Sequence, residues 1–273
     1  MGEVSTATGV TIHGATGRMG TRLVALAAAD RGLDLVAAAT HAGDAQVGRD
    51  AGEMAAVGPI GVAVTGELTP GGEVVIDFSV AEAAANVAMA CAVAGSPVVV
   101  GTTGLTAEAH AALKQAAGRV PVLVASNFSL VVNVMHALAR RAAAWLGEGY
   151  DVELLEAHHR FKRDAPSGTA IALAQTVCEA SGRSFDEDVV FARHGDDAPR
   201  QPSDLTIQTL RLGDHPGEHT LFFAGPGERL ELKHVGTSRD SYAIGALRAA
   251  KWLAGKPAGM YDVADALGLG GKA

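Results

Sequence analysis

From Gly9 onward the chain alternates short apolar runs with longer stretches of helical spacing. The segment "GVTIHGATGRMG" predicts a strand, a tight glycine-rich turn and a helix over about 18–29. Further apolar runs predict strands at 33–39, 62–65, 74–78, 97–100 and 120–125, with alanine-rich helices between most of them. Strands that alternate with helices need crossover connections, so roughly the first 128 residues predict a mostly parallel, doubly wound sheet. A polar leader precedes it.

Beyond that point the pattern changes. A helix over about 131–146 leads to an apolar strand at 152–157 and to a helix over about 166–180. Extended segments follow at 188–192, 206–212, 219–224 and 229–235, separated by the turn signals "GDHPGE" and "GPGE". Short polar turns between successive strands predict antiparallel pairing, hence a second α+β domain on a mixed or antiparallel sheet. A last helix over about 241–253 has the Ala/Leu character of the first part. The expected division is a domain over 1–128 with 240–273 packing back on it, and a second over 129–239.

Composition narrows the function. At 273 residues with 48% hydrophobic and 19% charged residues, the chain has the profile of an ordinary globular enzyme. Its formal charge of −8 gives no footprint for nucleic acid or an anionic membrane surface, so a small-molecule partner is favoured. No secretory leader or spanning segment is visible, so the cytoplasm is the expected location. Cys91 and Cys178 lie in apolar helical patterns and read as buried thiols rather than a disulfide or zinc site.

In "GATGRMG", Gly14, Gly17 and Gly20 stand between strand and helix, where a pyrophosphate can sit on free N–H groups at the helix start. A plain strand-to-helix turn is the competing reading; no Gly-Lys-Ser/Thr follows, which excludes a Walker loop. A site for NAD usually carries an acid at the end of the second strand, but this strand ends in Thr40 and His41. Lacking that carboxylate, the sequence leans toward accepting NADPH, with His41 able to meet its 2′-phosphate. Two later loops, "GTTG" at 101–104 and "ASNFS" at 125–129, also fall at carboxyl ends of strands, and serve either a nicotinamide ribose or ordinary loop capping.

Charge is concentrated in "EAHHRFKRDAPSGT", residues 156–169. A solvated basic loop is one reading, and an ion-pair cluster with Glu153, Glu156 and Asp164 is another. A metal site is disfavoured, because adjacent histidines point to opposite sides of an extended chain. The functional reading rests on the helix that Pro-Ser-Gly-Thr opens, with Pro166 near its first turn and Asp164 or Ser167 as cap. Its N–H groups, with His159, Lys162 and Arg160 beside them, suit a substrate carrying carboxylates. A histidine there can deliver a proton near neutral pH, and a lysine can stabilise negative charge or give a proton.

The run "EAHHRFKRDAPSGTA" closely resembles the signature of the 4-hydroxy-tetrahydrodipicolinate reductase (dihydrodipicolinate reductase) family of lysine and diaminopimelate biosynthesis. "GATGRMG", "VIDFS", "VVGTTG", "ASNFS", "VNVMHAL", "GEHTLFF", "ERLELKH" and "TSRDSYAIGAL" follow in that family's order. The resemblance implies an N-terminal Rossmann domain, a C-terminal domain that binds substrate and builds a homotetramer, and use of NADH, NADPH or both. It makes His158 the proton donor and acceptor and Lys162 a second proton donor. His159, Gly168 and Thr169 would hold a substrate carboxylate, with Ser167 nearby. Cofactor contacts fall on Gly14, Ala15, Thr16, Gly17, Arg18 and Met19, on Gly101, Thr102 and Thr103, and on Ala125, Ser126, Asn127 and Phe128. Thr40 and His41 stand where members often have Glu-Arg or Asp-Arg. The implied reaction is hydride transfer to the ring of a dicarboxylate cyclic imine, with loss of water, yielding tetrahydrodipicolinate.

Two rivals remain. A sugar dehydrogenase of similar build would carry Lys-Pro after the fifth strand, where this chain has "TTG". A nucleotide-sensing regulator has no need for a histidine-lysine pair beside an anion-binding helix start.

Overall fold

The computed structural model describes residues 7–269, so most of the polar leader lies outside the described residues. In chain order the elements are β1 (Thr8–His13), α1 (Arg18–Ala29), β2 (Leu33–Ala39), α2 (Ala51–Met54), β3 (Val64–Thr65), β4 (Val74–Asp77), α3 (Ala84–Ala94), β5 (Val98–Val100), α4 (Ala107–Ala116) and β6 (Pro121–Val124). They continue with α5 (Leu130–Leu146), β7 (Asp151–His158), α6 (Gly168–Ser181), α7 (Phe185–Asp188), β8 (Val189–Phe191), β9 (Leu205–Arg211), β10 (Gly217–Gly225) and β11 (Glu228–Gly236). The chain ends with α8 (Asp240–Leu253), β12 (Gly259–Tyr261) and α9 (Val263–Leu267). It divides into two compact units, one of residues 1–130 with 240–273 and one of 131–239.

The first unit is built on a parallel sheet in the order β12-β6-β5-β4-β1-β2-β3. Strand order reverses between β1 and β4, which makes their carboxyl ends the expected crevice for a ligand. Both faces are covered, and the two-residue alternation of the strands sorts the core. Val10, Ile12, Val74, Ile76, Val99 and Leu123 share one cluster with α1 and α8, whereas Val75, Val98, Val100 and Val122 pack with α3 and α4. Helix α8 thus belongs to this unit, as its alanine and leucine content suggests. The seventh strand, β12, escaped the sequence reading because three residues, "GMY", carry no measurable alternation.

In the second unit the order is β11-β10-β7-β9-β8. Helices α5 and α6 cover one face through Met135, Ala139, Leu173 and Val177, packed on Leu154, Ile207, Leu221 and Phe223. The expected pairing of successive strands holds for β10 and β11 only. Strand β7 lies between β9 and β10, parallel to the first and antiparallel to the second, so the turn "GDHPGE" spans one strand instead of closing a hairpin. Residues 185–188, expected to begin an extended segment only at 188, form the short helix α7.

Candidate active site

In the second unit the period of the strands assembles the site. Glu156 and His158 on β7, Thr209 and Arg211 on β9, His219 on β10 and His234 on β11 occupy matching alternate positions, on the face that also carries Leu154 and Leu221. Glu156 is fully buried and receives Arg211 through two hydrogen bonds of 2.9 Å. Thr209 Oγ1 and the Ser167 N–H donate to its Oε1, each at 3.1 Å. Its Oε2 lies 2.5 Å from His158 Nδ1. Burial pushes the Glu156 carboxyl up, but the bonds from His158 and Arg211 outweigh it and hold it down at about 2. An ionised carboxylate only accepts, so Nδ1 carries a proton and donates it, which leaves Nε2 as the ring nitrogen free of Glu156. A Cβ placed on Gly217 would come within 2.9 Å of that Nε2, so glycine there keeps its approach clear.

Ser167 caps α6 by accepting from the Ala170 N–H at 3.2 Å, and its hydroxyl also lies 3.1 Å from His219 Nε2. Buried His219 is pushed down to about 3, by burial first and then by the neighbouring His158, and so stays neutral. Its ring meets that of His158 edge-on at 5.3 Å and stacks on His234 at 5.9 Å. The helix begins at Gly168, later than expected. Pro166 precedes the cap, and Asp164 does not cap but pairs with Lys162 at 2.9 Å. Gly168 is exposed at the first helical position and Thr169 follows half-buried. The loop before them is tied down by backbone bonds from His159 to His215, Arg160 to Gly213 and Lys162 to His159. His159 keeps a buried Nδ1 without a partner. Glu153, expected in the same ion-pair cluster, faces away and pairs with Arg193 and Arg200.

In the first unit backbone shape dominates. Gly14 has φ of +78°, and a Cβ there would lie 2.5 Å from the Phe78 carbonyl oxygen. A Cβ on Gly20 would lie 2.0 Å from the Gly14 oxygen, and one on Gly101 would enter the Phe78 ring. Gly17 stands at the N-cap of α1 without a side chain to cap it, leaving the first turn open to an anion. This cradle fits a dinucleotide. Ala15 contributes only shape, because its N–H and that of Gly14 both bond the Ala39 oxygen at 2.9 Å. Thr102 gives its hydroxyl to buried Asp77 at 2.8 Å, and Asp77 also binds His13 at 2.7 Å, which fixes the loop through 103. Asn127 Oδ1 accepts from the Ser129 N–H at 2.8 Å, and Phe128 packs on Phe78 with ring centres 5.6 Å apart. Ala125 packs against the core that Phe128 enters, with Ser126 next along the chain.

The end of β2 corrects the sequence reading. Thr40 is buried and His41 exposed, yet a carboxylate is present: Asp44 Oδ2 accepts from Thr16 Oγ1 at 2.6 Å and from Thr40 Oγ1 at 3.0 Å. A turn with the Asp44 N–H bonded to the His41 oxygen returns the acid to the strand's last residues. Arg211, His219 and His234 were also missed, because they come from strands distant in sequence. Among the described residues no group of His, Cys, Asp and Glu is placed to hold a metal. Both cysteines are buried and free, with Cys91 pushed up to about 12 by burial.

Comparison with known proteins finds two family models, which meet near residue 130. The model described as "Dihydrodipicolinate reductase, N-terminus" matches residues 8–128, and "Dihydrodipicolinate reductase, C-terminus" matches 131–267. A 4-hydroxy-tetrahydrodipicolinate reductase of Anaeromyxobacter dehalogenans (strain 2CP-1 / ATCC BAA-258) is 51% identical over 269 residues, 97% of this chain and 100% of that protein. One from Myxococcus xanthus (strain DK1622) is 48% identical, covering 94% of this chain and 97% of that one. The dipicolinate-bound dihydrodipicolinate reductase from Paenisporosarcina sp. TG-14 shares the fold, with a TM-score of 0.75 at 24% identity over 94% of this chain and 98% of that chain. An amine dehydrogenase from Mycobacterium smegmatis shares it more loosely, with a TM-score of 0.60 at 13% identity over 94% of this chain and 95% of that chain. With relatives matched at this identity over nearly their whole length, the chain belongs to the dihydrodipicolinate reductase family.

Proposed function

We propose that this protein is an NAD(P)H-dependent 4-hydroxy-tetrahydrodipicolinate reductase that forms tetrahydrodipicolinate for lysine and diaminopimelate synthesis. The observation that carries the reading is the imidazole of His158 held through Nδ1 on Glu156, the carboxylate that also accepts from the Ser167 N–H at the capped start of α6, in a chain half identical to reductases of that name. The first unit is the dinucleotide-binding domain and the second the substrate-binding and oligomerisation domain.

A bound reduced nicotinamide supplies the hydride. The protein's own residues handle charge and protons. The exposed α6 start at Gly168, with Thr169 and His159, holds a carboxylate of the dicarboxylate imine, using backbone N–H groups at the positive end of a helix. Ser167 acts through the cap it makes, since its hydroxyl and N–H are engaged within the protein. His158 Nε2 exchanges a proton with the substrate, and Glu156 holds the ring in the tautomer that leaves Nε2 to do so. Lys162, released from half-exposed pairing with Asp164 on the surface, donates a second proton or steadies negative charge. Gly14 and Thr16 to Met19, with Gly101 to Thr103 and Ala125 to Phe128, shape the nucleotide site.

No helix among the described residues is long and apolar enough to cross a membrane. The tetramer is favoured by the face of the second sheet that α5 and α6 leave uncovered. Leu155, Leu210 and Val235 lie on it, the last two nearly half exposed.

Pyridine-2,6-dicarboxylate, a planar mimic of the substrate, tests the reading. With NADH present it should raise the unfolding temperature beyond the effect of NADH alone. A response to nucleotide without any further response to the dicarboxylate would favour a nucleotide-sensing protein instead.

A further inference from the structure

Three side chains converge where the glycine turn after β1 meets the end of β2. Thr16 Oγ1 and Thr40 Oγ1 are 2.8 Å apart, and both reach Asp44 Oδ2, at 2.6 and 3.0 Å. The Gln46 N–H donates to Oδ1 at 2.9 Å. Asp44 is drawn below the ordinary carboxylate range, chiefly by the Thr16 hydroxyl and the Gln46 N–H, so it is an anion at neutral pH. Its side chain is only 16% exposed, while that of His41, 3.9 Å away, is 76% exposed. The acid is therefore held in place by the turn itself, while the His41 ring lies mostly in solvent.

We propose that Asp44 determines nucleotide specificity: it stands in for the acid missing at Thr40-His41, accepts from an adenine-ribose hydroxyl, and disfavours a 2′-phosphate. This rests on the reading of the first unit as the dinucleotide-binding domain. The position supports it, because an acid at the carboxyl end of the second strand, beside the glycine turn, is where such folds bond the ribose. The chemistry supports it too. A carboxylate has about four acceptor directions, and the three donors on Asp44 leave capacity for a hydroxyl but set a fixed negative charge against a phosphate. Thr16 lies within the turn that would cradle the pyrophosphate, so the same hydroxyl couples the two halves of the site. The protein should thus prefer NADH, against the lean toward NADPH that the strand end alone suggested.

Equilibrium binding of NADH and NADPH to the full chain, followed by nucleotide fluorescence, tests this without turnover. Wild type should bind NADH about tenfold or more tighter than NADPH, a factor that like-charge placement readily supplies. Asp44→Asn, which keeps the shape, and Asp44→Ser, which leaves a small hydroxyl, should each move the ratio toward NADPH by about tenfold. A wild type that binds NADPH more tightly overturns the proposal, as does an unchanged ratio in the folded variants. Should a variant fail to fold, the wild-type ratio decides alone. A wild type that binds neither nucleotide removes the dinucleotide reading and this proposal together, whereas a wrong ratio leaves the reductase reading standing.

Discussion

The glycine turn of the first unit and the histidine loop of the second are built by opposite means. The turn is made of absent side chains: at Gly14 and Gly20 a Cβ would collide with backbone. The loop is made of present ones, with Glu156 holding His158 on one side and Arg211 on the other. The first is a shape encoded within seven consecutive residues. The second is a network whose members meet only after four strands have paired, and its precision depends on register.

That contrast can be broken at Glu156. Glu156→Gln leaves the shape but removes the anion, so the His158 ring loses its fixed tautomer and Arg211 its partner. We expect turnover to fall by roughly 10–100-fold with nucleotide affinity nearly unchanged. A purely structural carboxylate would lower stability and leave the turnover of the folded protein in place.

Substituting glycines sharpens the comparison at a smaller scale. Gly20→Ala puts a methyl 2.0 Å from the Gly14 oxygen and should destabilise the first unit by about 1–3 kcal/mol, as overpacking does. Gly168→Ala meets nothing within 4 Å and should leave thermal stability within about 1 kcal/mol of wild type. Equal losses in denaturant melts would show that the two glycine positions do not differ in the way described.

How much of this was legible in the sequence follows from the same distinction. The boundaries of α1 and β2 could be read directly, because long periodic segments bounded by glycine or polar turns leave little choice. The turn at Gly14 to Gly20 was legible as a local motif, and His158 to Thr169 as a local concentration of charge. Arg211 was not: it reaches Glu156 across 55 positions, and only the parallel pairing of β7 with β9 brings them together. His219, 52 positions from the Ser167 it contacts, was hidden for the same reason. Asp44 was missed on a smaller scale, through a turn of four residues that the alternation of β2 does not foretell. The sequence shows which chemistry is available; strand order decides which of it is assembled.

The most direct test is steady-state oxidation of NADH and NADPH with enzymatically generated 4-hydroxy-tetrahydrodipicolinate, for wild type, His158→Ala and Lys162→Ala. The account predicts turnover by wild type, and a loss of roughly 10²–10⁴ in each variant with nucleotide affinity nearly unchanged, as expected for removal of a group that handles a proton. Near-normal turnover in both variants, or none in a wild type that binds nucleotide, would contradict it.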